Sequence, residues 1–341
     1  MPSPNTRTTI YDVAHRANVA ISTVSRVINH SPEVSDATRQ RVLHAIDELN
    51  FRPQRTARSL ATSETSTLAV AMPSFTSLFY VEVLKGVKDV LREKGSDLLL
   101  CNLGSIDPDL TLKRFLDRGA VGGLLLASME LDDQLRRSLQ RMQAPVVLIG
   151  SRDDAFDSLW WDDTEGSRLA VQHLIDLGHR RIALISAHPW SGSAESRLAG
   201  YRAALDAAGI PFDERLVVRG ETTKHAGFSE EAGAEAMEKL LALDERPTAI
   251  FASSDVQAYG AWAYARDNSI YVPRDLSIVG YDNLKLSRFL DLTTVDQRMH
   301  EVGAQAVTRL LSRMGGGANA DRLDQQIPLE VIDRGSTASP R

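Results

Sequence analysis

The 341-residue sequence contains one cysteine, Cys101. An internal disulfide framework and a cysteine-rich zinc site are therefore excluded, and a reducing compartment is expected. Long hydrophobic runs are missing as well. The apolar stretches Leu98–Cys101, Val121–Met129 and Val146–Ile149 fall far short of the ~18 residues of a membrane span. The opening MPSPNTRT lacks the charged-then-apolar order of a signal peptide, so a cytoplasmic chain with no membrane partner is expected. Catalytic signatures are absent too: there is no G-x-G-x-x-G, P-loop, G-x-S-x-G or H-E-x-x-H. The eight histidines, at 15, 30, 44, 173, 179, 188, 225 and 300, show no metal-ligand spacing. Neither an enzyme nor a metal or other cofactor is expected.

What remains is the composition of a folded soluble chain, 43% hydrophobic and 25% charged, long enough for about two to three domains. The net charge of −6 hides an asymmetry. Residues 1–62 hold eight Arg, no Lys and five acids, a balance of +3, which leaves −9 for the rest. A basic head on an acidic body is a cue for a nucleic-acid module joined to something else.

The head reads as three short helices. Thr9 and Asp12 have capping-box spacing, and Ile10, Val13, Ala14 and Ala17 follow on one helical face. Asn18 tolerates the left-handed turn. Val24, Val27 and Ile28 mark a second helix from about Ile21 to Asn29, so the pair forms a helix-turn-helix unit. Ser35 can cap a third, with Val42, Ala45, Ile46 and Leu49 inward. The polar face of the second helix carries Ser22, Thr23, Ser25, Arg26 and Asn29, short donors and acceptors suited to phosphates and base edges.

The segments TIYDVAHRANVAISTVSRVIN (Thr9–Asn29) and VSDATRQRVLHAIDELNFRPQRTARSLA (Val34–Ala61) resemble the helix-turn-helix and hinge of LacI/GalR-type transcription regulators. The resemblance makes Ile21–Asn29 the recognition helix. It sets Ile21, Ser22 and Arg26 against base edges, and Thr23, Ser25 and Asn29 against the backbone. Thr9 and Tyr11 join them as DNA-contacting residues. Arg26 has two readings, a bidentate guanine contact or a phosphate contact. Two positions depart from the family pattern: Asn18 stands where Gly is frequent, and Ala20 stands where Ser would cap the second helix. In FRPQRTARSLATS the resemblance implies a hinge helix that forms when two copies meet on DNA. Leu60 would wedge into the minor groove, Ala57 would face the partner hinge, and Arg55 would serve phosphates.

Beyond Thr65 strand-like runs alternate with helical ones in two series, the pattern of parallel sheets with helices on both faces. The likeness continues here, through DDTEGSRLAVQHLIDLGHRRIALI, RLAGYRAALDAAGI and ASSDVQAYGAWAYARDNSIYVPRDLSIVGYDN. It implies an α/β fold: the all-α head, then two doubly wound lobes of the periplasmic sugar-binding-protein type. The expected segments are 1–52 (DNA-binding domain), 53–64 (hinge), 65–162 plus 293–320 (first lobe) and 163–292 plus 321–336 (second lobe). Crossings between lobes are expected near Trp161–Thr164, Leu290–Thr294 and Gly315–Asp324.

In such a fold a small ligand binds between the lobes, beyond the carboxyl ends of the strands. Strand-end position nominates Phe79, Trp161, Arg197, Ser254, Asp255, Asp282 and Gln297. Arg197 and Asp282 match family positions that hold ligand hydroxyls or carboxylates, and Trp161 suits a sugar ring. Phe79 and Trp161 read equally as core residues, and Asp255 as part of a helix cap. The resemblance thus implies a repressor: a homodimer on a near-palindromic DNA operator, controlled by a small molecule of the carbohydrate class. The first-lobe helices are expected to pair across the two-fold. The tail DRGSTASPR has no leucine heptads, which favours a dimer over a tetramer.

Overall fold

A computed structural model describes residues 8–28, 31–51, 67–94, 96–104, 107–117, 121–142, 144–316 and 321–341. It divides into two units, Met1–Thr65 and Ser66–Arg341. In the first, helix α1 (Ile10–Ala17) starts where the Asp12 carboxylate accepts hydrogen bonds from the Thr9 N–H and hydroxyl, each at 2.7 Å. It stops at Asn18, whose φ of 52° places it in the left-handed region. Helix α2 (Ile21–Ile28) begins on the Ala20 carbonyl, which accepts from Thr23 and Val24. Helix α3 (Asp36–Glu48) closes the unit. Val13, Val24, Val27, Val42 and Ala45 are buried together, and Arg16 ties α1 to Glu48 of α3 at 2.6 Å. The Ser35 hydroxyl turns to Thr38 and makes no capping bond to the backbone.

The second unit contains two six-stranded sheets. The first comprises β1 (Thr67–Met72), β2 (Asp97–Asn102), β3 (Gly123–Ala127), β4 (Val146–Ile149), β5 (Asp157–Trp160) and a late β11 (Asp324–Gln326). Their spatial order is β11-β5-β4-β3-β1-β2, all parallel. Helices α4 (Leu78–Lys94), α5 (Pro108–Leu116) and α6 (Asp133–Gln140) connect them. The chain enters the second lobe through α7 (Asp163–Asp176). There β6 (Ile182–Ile185), α8 (Ala194–Ala207), β7 (Val217–Val218), α9 (Glu230–Leu241), β8 (Ala249–Ala252), α10 (Asp255–Asp267), β9 (Ser277–Asp282), α11 (Lys285–Phe289) and β10 (Thr293–Asp296) follow. After α12 (Met299–Met314) and β11, the short β12 (Glu330–Ile332) completes the order β12-β10-β9-β8-β6-β7, in which only the β10–β12 pair is antiparallel.

The strands LLLA and VVLI are buried along their whole length, as parallel strands covered on both faces must be. Leu68, Val70, Leu125 and Val147 pack toward Val83, Val302 and Leu310, while Ala69, Leu124, Leu126 and Leu148 pack toward Leu112, Leu135 and Leu139. The helices begin on caps written into the sequence. Asp107, Asp132, Asp162, Ser229 and Ser254 each accept a backbone N–H in the first turn that follows them. Helices α4 and α12 approach closely because each presents a glycine. A Cβ on Gly86 would lie 1.9 Å from the His300 carbonyl oxygen, and one on Gly303 would lie 2.0 Å from that of Val83.

Two of the three expected crossings are corrected. Thr293 pairs with Val279 of β9, so residues 293–296 belong to the second sheet and the chain crosses after Asp296, not at Leu290–Thr294. Asp324 pairs with Ser158 of β5, so residues 324–326 belong to the first sheet and the last crossing follows Gln326, not Gly315–Asp324. The segments TTVD and DQQ are short and polar, so nothing local in them announces a strand or its sheet. No described helix is long and apolar enough to cross a membrane.

Candidate functional site

On the head, the valines that anchor α2 leave its other face outward. Ile21, Ser22 and Arg26 are exposed, and Thr23 and Ser25 are partly so. Ser22, Ser25 and Arg26 are spaced i, i+3, i+4 and share one face. The Arg26 guanidinium lies 3.7 Å from the Glu33 carboxylate, an exposed pair worth ~0–1 kcal/mol that a phosphate or base can replace. Tyr11 is 67% exposed on α1, and Thr9 is held by Asp12. Asn29, Arg55, Ala57 and Leu60 lie outside the described residues, as does the whole expected hinge.

Between the lobes lies a cavity of about 420 Å³. Six of the seven nominated residues line it: Phe79, Trp161, Arg197, Ser254, Asp282 and Gln297. Phe79 and Trp161 meet edge to face with centroids 5.6 Å apart, and the Trp161 Nε1–H donates to the Gln297 carbonyl at 2.8 Å. Trp160, the next residue back, turns to the sheet edge, where its Nε1–H donates to Asp324 at 2.9 Å.

Arg197 is buried and already engaged. Its guanidinium binds Asp163 Oδ1 at 2.8–2.9 Å, donates to the Ser253 carbonyl and sits 3.9 Å above the Tyr281 ring. Its charge is thus compensated before any ligand arrives, and what it offers the cavity is a fixed, oriented plane. Asp282 ends β9 with a φ of 132°. Burial, and then the neighbouring Asp255 charge, push its carboxyl well above the usual carboxylate range. The shift favours the neutral acid, which can donate to a ligand oxygen as well as accept from a hydroxyl.

Asp255 does not line the cavity. It is fully buried, and its carboxylate accepts from the Leu284 N–H at 2.7 Å and from the Ser287 and Thr294 hydroxyls. The expectation of a ligand contact is corrected: this side chain ties the start of α10 to α11 and β10. A carboxylate on the first turn of a helix points along whichever neighbour supplies donors, and here the donors lie behind the cavity. Ser254 lines the cavity, yet its hydroxyl caps α10 through the Gln257 N–H at 3.2 Å.

Of the three buried side-chain atoms without a hydrogen-bond partner among the described residues, one is the Tyr281 hydroxyl and the other two are Gln297 Oε1, on a residue only 1% exposed, and Ser151 Oγ. Both belong to residues that line the cavity. A buried acceptor left unpaired costs about 1–3 kcal/mol, so both are places where a hydroxyl-bearing ligand gains. Sequence reasoning missed Ser151, along with Tyr80, Ser128, Asp163 and Phe228. Ser128 directly follows β3 and Ser151 lies two residues past β4, so the strand-end rule, applied to every strand, would have found them. Phe228 follows a kinked turn with left-handed His225 and Ala226 and carried no such signal. No cluster of His, Cys, Asp or Glu among the described residues could hold a metal.

Comparison with known proteins places this arrangement. Residues 9–54 match bacterial regulatory proteins of the lacI family, and residues 171–337 match the periplasmic binding protein-like domain. Catabolite control protein A of Priestia megaterium is 36% identical over 340 residues, covering 96% of this chain and 99% of its own length. Among solved structures, the complex of the transcriptional regulator CelR with cellobiose is 32% identical, covers 97% of this chain and 100% of that one, and has a TM-score of 0.68. The lac repressor dimer bound to operator and the anti-inducer ONPF is 29% identical, with coverages of 98% and 100% and a TM-score of 0.76. Matched from head to body, the chain belongs to the LacI family of bacterial regulatory proteins, DNA-binding regulators of transcription and not enzymes.

Proposed function

We propose that this regulator is a repressor whose hold on its operator is set by a neutral, hydroxyl-rich small molecule, a sugar or sugar derivative, bound between the lobes. The observation that carries the reading is the cavity itself. Aromatic faces from Phe79, Trp161 and Phe228 surround the buried Asp282 carboxyl and two polar atoms without partners, Gln297 Oε1 and Ser151 Oγ. Ring faces beside convergent hydrogen-bonding groups suit a polyhydroxylated ring. The relative crystallised with cellobiose supports the same class.

Residues 1–52 then read DNA through Ile21, Ser22, Thr23, Ser25, Arg26 and Asn29, with Thr9 and Tyr11 beside them. Residues 53–64 form the hinge, with Arg55, Ala57 and Leu60 in the roles the family resemblance gives them. Two copies bind a near-palindromic site. The exposed apolar side chains Leu78, Leu99 and Leu100 in the first lobe, and Leu286, Phe289 and Leu290 in the second, offer the surface that a second copy covers.

A thermal-shift screen of the full chain against sugars, sugar acids and nucleobases tests the ligand class. A hit must also alter binding to a palindromic DNA site near the protein's own gene, and Arg197→Ala must abolish that hit. A nucleobase hit with no sugar hit would replace the sugar reading.

A further inference from the structure

Trp190 was not among the nominated residues. It lies on the 3-10 turn Pro189–Ser191 and is 59% exposed. Its ring lies flat on that of His188, with centroids 4.3 Å apart and planes within 10°. His188 is itself buried and fixed. Its N–H donates to the Ala226 carbonyl at 2.8 Å, its Nε2 lies 3.2 Å from the Thr222 carbonyl, and Gly227 packs against its ring edge. A large aromatic face is therefore held rigidly toward solvent by a supported imidazole. Such a rigid ring face is suited to stacking against a flat or ring-shaped group.

The face stands at the mouth of the cleft. Outside the inner cavity lies a second chamber of about 750 Å³, lined by Trp190 together with Pro73, Asn102, Asp109, Glu195 and His225. The two share Tyr80, Ser128, Glu130, Gly192 and Phe228, so they form one continuous cleft. The outer chamber has three carboxylates, Asp109, Glu130 and Glu195, and no Arg or Lys among its described lining residues. The inner cavity's arginine is already paired with Asp163. Both chambers therefore disfavour an anionic ligand.

We propose that the ligand is a neutral glycan of at least two rings, one held in the inner cavity and the next stacked on the Trp190–His188 platform, with sugar phosphates and sugar acids excluded by charge. The proposal rests on the sugar reading and narrows it. The inner ring takes the hydrogen bonds of Asp282, Gln297 and Ser151, and the outer ring covers the indole. Carboxylates at the mouth accept hydroxyl hydrogen bonds without needing a charged partner.

Titration calorimetry on the full chain tests this with glucose and galactose, with cellobiose, maltose and lactose, and with glucose 6-phosphate and glucuronate. At least one disaccharide should bind more tightly than its constituent monosaccharides. Trp190→Ala should remove roughly three- to tenfold of that affinity, the size of one aromatic stacking contact. It should leave monosaccharide binding unchanged, and Trp190→Phe should restore most of the loss. Equal affinity for mono- and disaccharides would overturn the proposal while leaving the sugar reading intact. So would equal weakening of both by Trp190→Ala, or binding of glucose 6-phosphate as tight as that of glucose. Binding of none of these sugars would end both.

Discussion

At the scale of single residues, Asp282 is a cavity-lining carboxyl whose burial costs the folded chain stability. Its carboxyl is buried, its backbone sits at a φ of 132°, and a second buried carboxyl, Asp255, stands behind it. Its folded-state pKa is raised, so the folded chain holds a proton that the unfolded chain releases. Stability from this group is present at low pH and declines as pH rises above the ordinary carboxylate value toward the raised one. Asp282→Asn should therefore stabilise the protein against unfolding at neutral pH. It should also weaken the response to any sugar found in the screen. Urea unfolding and calorimetry on one preparation check both, and a destabilised variant would contradict the protonated, strained picture. Ala20 is the complementary case in the head. Helix α2 begins on the Ala20 carbonyl, and alanine brings no side-chain oxygen for the first turn. Ala20→Ser should add about 1 kcal/mol to that helix, visible as slower amide exchange at Thr23 and Val24.

At the scale of elements, α12 is the piece on which the first lobe depends. It packs on α4 through the Gly86 and Gly303 approach and is pinned to β5 by Arg309 and Arg313, which bind Asp157 at 2.8 Å each. Leu323 adds its N–H at 2.7 Å, which brings the chain back into register for β11. Burial works to raise the Asp157 carboxyl, but the hydrogen bonds from Arg313 and Arg309 overcome it and hold the group well below the usual carboxylate range. Stability from this cluster is fully present above the unfolded pKa of ~3.9 and is lost as pH falls below it toward the folded value. Asp157→Asn should cost about 3–5 kcal/mol at neutral pH, because it leaves two poorly solvated cations facing a neutral amide. It should also flatten the acid limb of the stability profile measured by denaturant unfolding from pH 7 to 3. An unchanged acid limb would assign acid sensitivity to other carboxylates.

At the scale of the whole molecule, charge is divided between head and body. The +3 of residues 1–62 is modest for a DNA-binding segment, so charge alone is a small part of its hold on DNA, and the −9 of the remainder is unfavourable for contact with phosphates. Regulation by a ligand in the cleft is a coupling free energy between two sites, and it must be reciprocal. Whatever factor a bound sugar changes in operator affinity, operator must change by the same factor in sugar affinity. Calorimetric titration of the sugar with and without an operator duplex should return the factor measured by DNA binding. A mismatch beyond error would mean that more than one linked equilibrium is at work.

The sequence by itself determined what short-range physics decides. The Thr9–Asp12 cap, the Asn18 turn and the i, i+3, i+4 valines specify the head because each interaction spans one or two helical turns. The runs LLLA and VVLI announce buried parallel strands because burial on both faces leaves no alternation to read. Six of seven nominated cleft residues were legible, because a side chain at a strand's carboxyl end faces the cleft wherever the strand lies in the sheet. Only the tertiary structure decided which sheet TTVD and DQQ joined: DQQ pairs with Asp157–Trp160 from a distant part of the chain, and TTVD stays with the preceding strand Ser277–Asp282 although its short polar sequence carries no strand signal. It also turned Asp255 away from the cavity toward the donors of Leu284, Ser287 and Thr294. And it laid Trp190 on His188 at the cleft mouth. The sheet order and the turn of Asp255 depend on partners outside the local segment, while the His188–Trp190 stack is local and takes its place at the cleft from the fold around it.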